Sequence, residues 1–347
     1  MILACSPTAG VALQLVTDLQ RRMVAAQEAV ARSVHSADRF VAVPWLRDEG
    51  RHGGGTRLCV ADSPVFDRAS VNVSQVHYDD EPAKRLASAS ALSAIIHPRH
   101  PRAPSVHIHV SWTEMRDGTG YWRIMADLNP AIAVEADRDR FLDALRGAAG
   151  PLFDEGVRQG EQYFYIPAAG RHRGVAHFYL EQYATSNPDA DRALARSIGE
   201  AAIDTHADIM TDALHQAPAP TEASRATQLA YHTLYFFQVL TLDRGTTSGL
   251  LVHSQNDVGI LGSLPSHVDR ELLASWRSAV PAPLGVLVDG LTAVLPGARV
   301  ALVDDDVKRA LATAVRAFFT AHPDALALQA RGDVIPPTVA NHALTDR

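Results

Sequence analysis

The segment between residues 105 and 128 constrains the fold most, because it has the pattern of two strands that must pair. Apolar Val106, Ile108 and Val110 alternate with polar side chains, and a period of two gives a strand one apolar and one polar face. A glycine-rich reversal around Gly118 leads into a second run of strand-forming residues. The sequence therefore predicts an antiparallel hairpin with one polar face.

A turn centred on Gly118 predicts which residues oppose one another across this hairpin. The predicted pairs are Thr113 with Arg123, Ser111 with Met125, and His109 with Asp127. Directly opposed residues share a face of the sheet, and His107 lies two residues from His109 on that same face. The polar face is therefore predicted to carry two imidazoles and a carboxylate.

Composition favours a protein with a full hydrophobic core and excludes two classes of function. The chain has 347 residues, of which 47% are hydrophobic, and its formal net charge is −7. A negative charge argues against nucleic-acid binding, and the lack of an 18-residue apolar run argues against a membrane span. The two cysteines, Cys5 and Cys59, lie far apart and predict a reducing compartment, which we expect to be the cytoplasm.

The predicted elements place strands in the middle of the chain and helices at both ends, which indicates an α+β fold. Strands are predicted at residues 57–61, 71–76, 94–97, 105–115, 121–128, 163–166, 177–182, 236–242 and 249–252, and helices at residues 11–33, 137–149, 188–215, 222–229 and 304–320. We expect an N-terminal helical segment at residues 1–40, a core at residues 41–268, and a divergent helical C-terminal extension of the same domain at residues 269–347.

A series of short motifs runs through the core in a fixed order. It comprises Trp45, Gly53-Gly54-Gly55, residues 71–77 with Asn72 and Ser74, Ile96-His97-Pro98, Val106-His107, Asp127-Leu128, Arg173-Gly174, Asp243-Arg244-Gly245-Thr246 and Ser263-Leu264-Pro265. In order and spacing these motifs resemble the oxygen-dependent coproporphyrinogen III oxidases of haem synthesis.

This resemblance implies a large flat antiparallel sheet covered by helices on both faces, a homodimer, and a reaction that uses O2 with no metal and no organic cofactor. It also implies that Asp127 is the base that removes a substrate proton, a role that suits an ionised and partly desolvated carboxylate. We expect His107, His109 and His97 to act beside it, as groups that position or protonate the reactants.

The chain departs from the family where the substrate ring would lie. Ser111 stands where the family has an arginine, and His109 stands where it has an asparagine. Arg123 and Met125 replace glycines that leave room above the sheet. Added bulk and lost charge predict a substrate that is smaller and less anionic than a tetrapyrrole.

The predicted function is therefore an O2-dependent oxidative decarboxylation or desaturation of a small carboxylate, as part of specialised metabolism. Arg173 and Arg244 are predicted to bind the substrate carboxylate. The rest of the predicted substrate-binding set is Arg123, Ser111, Met125, Trp45, Asn72 and Ser74.

Three alternatives remain open from the sequence. The first is coproporphyrinogen III oxidation itself, and the second is a catalytically silent binding protein. The third is a metal enzyme, in which His107, His109 and Asp127 bind Fe(II) or Zn as two histidines and one carboxylate. His172 and His177 are expected to be surface or loop residues.

Overall fold

Seven strands form one antiparallel sheet in the order β1-β2-β3-β4-β5-β6-β9. The structure is a computed structural model and describes residues 1–297 and 299–343. The strands are β1 (Val41–Leu46), β2 (Gly53–Ala61), β3 (Phe66–His77), β4 (Leu86–Pro98), β5 (Ser105–Met115), β6 (Gly120–Asn129), β7 (Tyr165–Ile166), β8 (Arg171–His172), β9 (Ala176–Tyr183), β10 (His267–Asp269) and β11 (Val300–Leu302). The α+β class predicted from the sequence is confirmed.

Helices cover both faces of the sheet. They are α1 (Pro7–Ser33), α2 (Glu135–Ala149), α3 (Phe153–Phe164), α4 (Pro188–Gln216), α5 (Glu222–Thr241), α6 (Arg244–Val252), α7 (Asp257–Ile260), α8 (Arg270–Ser275), α9 (Ala282–Val294) and α10 (Asp305–Ala321). None of the helices in the described residues combines the length and apolar character that a membrane span requires.

Strand alternation separates two hydrophobic cores. Val106, Ile108 and Val110 of β5 lie in the first core, which α1, α2 and α4 complete. The second core is built mainly from α5, α9 and α10, and Ile95 of β4 is its contribution from the sheet. The polar face of the hairpin is therefore turned towards α5 and away from α1.

Two predicted strands are helical, and a third is helical over half of its length. Residues 236–241 and 249–252 belong to α5 and α6, and residues 163–164 end α3 before the short β7 begins. Tyr235, Phe236 and Phe237 of α5 are all buried. A helix that is buried on every side has no amphipathic period, so its apolar run resembles a strand in sequence.

The C-terminal part of the chain is largely helical. The apolar run at residues 282–294 forms α9, and Asp304 caps α10 by accepting a hydrogen bond from the Val307 N–H at 2.9 Å. The helix predicted at residues 304–320 is therefore present as α10. Residues 344–347 of the predicted extension lie outside the described residues.

Candidate active site

The hairpin of β5 and β6 carries the predicted polar face, but with a different register. His107 is opposite Asp127, His109 is opposite Met125, and Ser111 is opposite Arg123. The predicted pairing was therefore wrong by two residues, a shift that keeps every side chain on its predicted face.

The turn explains this shift. The Gly118 N–H donates to the Met115 carbonyl at 3.1 Å, and Met115 pairs with Thr119, so the loop is centred on Asp117. Gly118 has a φ of 85° and closes the turn instead of standing at its centre. The position of a glycine in a hairpin thus depends on the turn type, which alternation does not reveal.

A cavity of about 260 Å³ lies between this face and the helices that follow β9. The sheet contributes Trp45, Asn72, Ser74, His107, His109, Arg123 and Met125 to its lining, and the helical side contributes Tyr235, Asp243, Thr246, His253 and Ile260, among others. Eight of the twelve predicted site residues, the seven on the sheet and Arg173, therefore line one cavity.

Arg173 joins the cavity to a buried carboxylate. Its Nε and Nη2 donate to Asp127 Oδ2 at 2.8 and 2.6 Å, and Nη2 also lies 2.9 Å from His107 Nδ1. The guanidinium packs against the rings of Phe164 and Tyr235, 5.0 and 4.9 Å from their centroids. Asp127 is thereby linked to the cavity through Arg173 and His107.

Asp127 itself does not line the cavity, and its side chain is fully buried. Burial would raise the pKa of this carboxyl group, but Arg173 and His177 outweigh burial and hold the pKa well below its usual range. A carboxylate stabilised in this way is a weak base. The expectation of a partly desolvated, basic Asp127 facing the substrate therefore disagrees with the structure.

His107 faces the cavity as a neutral imidazole. Burial, followed by the charge of Arg173, lowers the pKa of His107 to about 4. Because Arg173 is always protonated and donates to Nδ1, the neutral ring carries its proton on Nε2. His107 consequently presents a hydrogen-bond donor.

His109 lies beside it on β5. Burial, Arg123 and His107 hold the pKa of His109 well below its usual range, and its Nε2 lies 3.0 Å from Ser111 Oγ. Ser111 does not line the cavity, so it supports His109 from behind. The imidazole at this position therefore remains neutral at physiological pH.

Arg123 is held by a carboxylate that the sequence analysis did not identify. Its Nε and Nη2 donate to Glu181 of β9 at 2.9 and 3.1 Å, and Tyr179 OH also donates to Glu181. Burial disfavours the charged guanidinium, but Glu181 outweighs it and raises the pKa of Arg123. The charge that Arg123 brings to the cavity is thus neutralised within the protein.

Besides Asp127 and Ser111, two further predicted residues do not line the cavity. His97 is fully buried, with Nδ1 2.9 Å from Ser105 Oγ and Nε2 3.2 Å from the Ser263 carbonyl, and it does not line the cavity. Arg244 donates its Nε to the Ala330 carbonyl at 3.0 Å and does not line the cavity either. Both contacts are structural, and neither residue is placed to touch a ligand there.

Three predicted substrate-binding residues on β1 and β3 line the cavity. Trp45 Nε1 donates to Asn72 Oδ1 at 2.9 Å, and both residues line the cavity with Ser74. The C-terminal segment also reaches this region, because Thr338 Oγ1 lies 3.5 Å from Arg123 Nη2. Residues beyond 268 therefore contribute to the surroundings of the cavity.

His177 is the main residue that the sequence analysis misplaced. It is 1% exposed, and its Nδ1 lies 2.5 Å from Asp127 Oδ1. The available signal was alternation, since His177, Tyr179 and Glu181 occupy one face of β9 next to β6. Their partners are distant in sequence, so alternation alone did not connect them with Asp127.

The alternative metal set is not assembled. Both carboxylate oxygens of Asp127 are engaged, one by Arg173 and one by His177, and a guanidinium occupies the space next to His107 Nδ1. The described residues that do bring three metal-ligand atoms together are Glu161, His172 and His177 in one group and His52, Asp80 and Glu81 in another.

Comparison with known proteins gives one consistent family. A family model described as coproporphyrinogen III oxidase matches residues 12–278. The oxygen-dependent coproporphyrinogen-III oxidase of Drosophila melanogaster is 27% identical over 288 residues, covering 76% of this chain and 72% of that protein. The mitochondrial enzymes of Rattus norvegicus and Homo sapiens are 26% and 25% identical, each over 75% of this chain. The chain covers only 63% of the rat protein and 62% of the human protein.

Proposed function

This chain belongs to the coproporphyrinogen III oxidase family, and we propose that it is an O2-dependent oxidase of a carboxylate substrate smaller than a tetrapyrrole. The relatives it matches carry the name oxygen-dependent coproporphyrinogen-III oxidase. We therefore propose that this chain also uses O2, but with a substrate smaller than a tetrapyrrole.

The main support for the proposal is that both arginines lining the cavity are already paired with carboxylates of the protein. Of the two arginines that line it, Arg123 is paired with Glu181 and Arg173 with Asp127. A substrate with several carboxylates would find no excess of positive charge there, and a buried unpaired charge is costly. The cavity volume of about 260 Å³ also lies below the roughly 300–1,000 Å³ of sites for drug-sized ligands.

One substrate carboxylate can still be bound. Each of the two arginines uses Nε and Nη2 for its protein partner, and neither Nη1 has a hydrogen bond within the described residues. Arg173 remains the proposed carboxylate ligand, with Arg123 as the second. Trp45, Asn72, Ser74 and Met125 shape the remainder of the proposed substrate site.

The proposed reaction is an oxidative decarboxylation, with desaturation as the alternative outcome. The bond to the carboxylate breaks, CO2 leaves, and that electron pair forms a carbon–carbon double bond. The neighbouring C–H bond gives its hydrogen and two electrons to O2, which takes one further proton and leaves as H2O2. His107, with its proton on Nε2, is proposed to donate to the peroxide anion that develops. No metal or organic cofactor is assigned to this step.

Asp127 is proposed to act as a positioning residue. It orients Arg173 and His177, and through Arg173 it fixes the tautomer of His107. His109 is proposed to position O2 or the substrate beside His107. We also propose that the protein is a homodimer, which sedimentation analysis would test, and that it works in the cytoplasm.

The proposal is tested by measuring O2 uptake, H2O2 and CO2 with two kinds of acid. The probes are coproporphyrinogen III and small electron-rich ring propionates such as pyrrole-3-propionate and indole-3-propionate. We expect uptake with a small acid and none with coproporphyrinogen III. His107→Phe keeps a planar ring without the donor and should lower the rate about 100-fold. Conversion of coproporphyrinogen III would contradict the proposal and support the alternative that the protein is a coproporphyrinogen III oxidase. Binding of a small acid without O2 uptake would support the alternative of a catalytically silent binding protein.

A further inference from the structure

We propose that Glu161, His172 and His177 form a binding site for one divalent transition-metal ion of the zinc class. The three residues come from the end of α3, from β8 and from the start of β9. Each offers one ligand atom, and these atoms all lie within 4.8 Å of one another. The site is separate from the cavity and goes beyond the proposed oxidase function.

His177 has the surroundings of a metal-binding histidine. It is 1% exposed, and its Nδ1 lies 2.5 Å from Oδ1 of Asp127, whose other oxygen accepts two hydrogen bonds from Arg173. Nδ1 therefore faces a carboxylate oxygen and donates its N–H to it. Nε2 keeps a free lone pair and has no hydrogen bond within the described residues. A histidine that binds a metal through one nitrogen usually donates the other N–H to such a carboxylate.

Glu161 and His172 supply the other two ligands. The distance between Glu161 Oε2 and His172 Nε2 is 3.2 Å, and two ligands of a tetrahedral zinc ion are about 3.4 Å apart when each bond is about 2.1 Å. His172 Nε2 also lies 2.7 Å from the Glu161 carbonyl oxygen. The ring of His172 also stacks on that of His177, with centroids 4.9 Å apart and an angle of 29° between the planes. Metal binding therefore requires His172, whose side chain is 26% exposed, to give up both contacts and turn its Nε2 towards the ion.

The donor set selects the class of ion. Two imidazole nitrogens and one carboxylate oxygen suit Zn²⁺ and related first-row ions such as Co²⁺ better than Mg²⁺ or Ca²⁺, which prefer oxygen ligands. Three protein ligands leave one position of a tetrahedral ion for water. The side chain of Glu161 is 47% exposed, so an ion bound there would be accessible from solvent.

The second group of three provides an internal control. His52 Nδ1 lies 2.6 Å from Asp48 Oδ2, and its Nε2 lies 3.0 Å from Asp80 Oδ1. Both ring nitrogens thus already have a carboxylate partner within hydrogen-bond distance. Arg51 also pairs with Asp80 at 2.5 Å. We do not expect this group to bind the ion.

Equilibrium dialysis of chelator-treated protein against Zn²⁺, with metal content measured by mass spectrometry, tests the site. Co²⁺ in place of Zn²⁺ gives a visible absorption spectrum that reports coordination by nitrogen and oxygen. We expect one ion per chain. His172→Ala and Glu161→Gln, both at partly exposed positions, should each weaken Zn²⁺ binding at least about tenfold. Asp80→Asn should leave binding unchanged.

Two outcomes would overturn the proposed metal site. A wild-type chain without a saturable site, or with a site that His172→Ala and Glu161→Gln leave intact, excludes these ligands. Loss of binding in Asp80→Asn alone would assign the ion to the other group. Circular dichroism of each variant checks that it is folded. Turnover is not used as a readout, so the outcome is independent of the proposed oxidase activity.

Discussion

Asp127 contacts two side chains inside the protein, Arg173 and His177. Removing its charge should therefore lower the free energy of unfolding, apart from any effect on turnover. Asp127→Asn leaves the buried Arg173 without its anionic partner. Breaking a buried pair in this way costs about 3–5 kcal/mol. We expect that loss in the free energy of unfolding at pH 7, measured with urea. A variant that keeps wild-type stability but loses turnover would instead support the role of base that the family resemblance implies.

The pH dependence of this difference has a definite sign. The pKa of Asp127 is lower in the folded protein than in the unfolded chain, mainly because Arg173 and His177 outweigh the effect of burial. Its contribution is fully present above the unfolded pKa of about 3.9 and decreases as the pH falls towards the folded value. The stability gap between wild type and Asp127→Asn should therefore be constant from pH 7 to about 5 and narrow below about pH 4.

Arg123 and Glu181 form a second buried pair that a double-mutant cycle can test. Arg123→Met leaves a carboxylate that is 1% exposed without its partner, and should cost about 3–5 kcal/mol. Adding Glu181→Gln should recover most of this loss, because no unpaired charge then remains. The exposed pair of Arg277 and Asp289, at 2.9 Å, is the matched control, and breaking it should cost less than about 1 kcal/mol. Additive effects at Arg123 and Glu181 would contradict the pairing.

Alternation in the sequence correctly predicted which residues of β5 and β6 share a face. It did not predict the register, because the turn type depends on which residue takes the positive φ, here Gly118. It also did not predict that Asp127 is covered by Arg173 and His177. These contacts join residues about fifty positions apart, and a single sequence contains no periodic signal at that separation.

Helix α3 lies directly against β9, and glycine makes this contact possible. A Cβ atom added at Gly160 would lie 2.6 Å from the backbone carbonyl carbon of His177. Gly160→Ala must therefore push α3 away from β9, at a cost of about 1–3 kcal/mol. Gly147 of α2 has nothing within 4 Å of such a Cβ atom, so Gly147→Ala should stabilise by up to about 1 kcal/mol. Equal effects in thermal unfolding would contradict the close contact.

Strands were easier to predict than the helices on the cavity side. A strand with one face on the first core and one face on the cavity alternates clearly, as β5 does. Helix α5 is buried over residues 231–241, so its sequence carries neither alternation nor an amphipathic period. The length of the unbroken segment would have predicted the helix better than its periodicity. An apolar run that continues a predicted helix without Gly or Pro favours a longer helix.

On the scale of the whole molecule, the sheet separates two cores, and each core region holds a buried neutral histidine. His206 of α4 lies on the side of α1, with Nδ1 3.3 Å from Gln27 Nε2 and Nε2 3.0 Å from the Pro104 carbonyl. His232 of α5 lies on the opposite side and is 5% exposed. Burial lowers the pKa of each to about 4. A neutral ring satisfies both contacts of His206, whereas a protonated ring would oppose the Gln27 amide.

These histidines should make the protein sensitive to mild acid. The unfolded chain takes up their protons below about pH 6.5, whereas the folded protein resists protonation down to about pH 4. Stability is therefore complete above about pH 6.5 and is lost as the pH falls, by roughly 3 kcal/mol for each histidine, out of a total of about 5–15 kcal/mol. His206→Gln keeps a donor for Pro104 and should flatten the fall in unfolding free energy between pH 6.5 and 4. His35→Gln, at an exposed position, should not. Urea denaturation at several pH values measures both, and an unchanged slope in His206→Gln would show that His206 does not couple folding to pH.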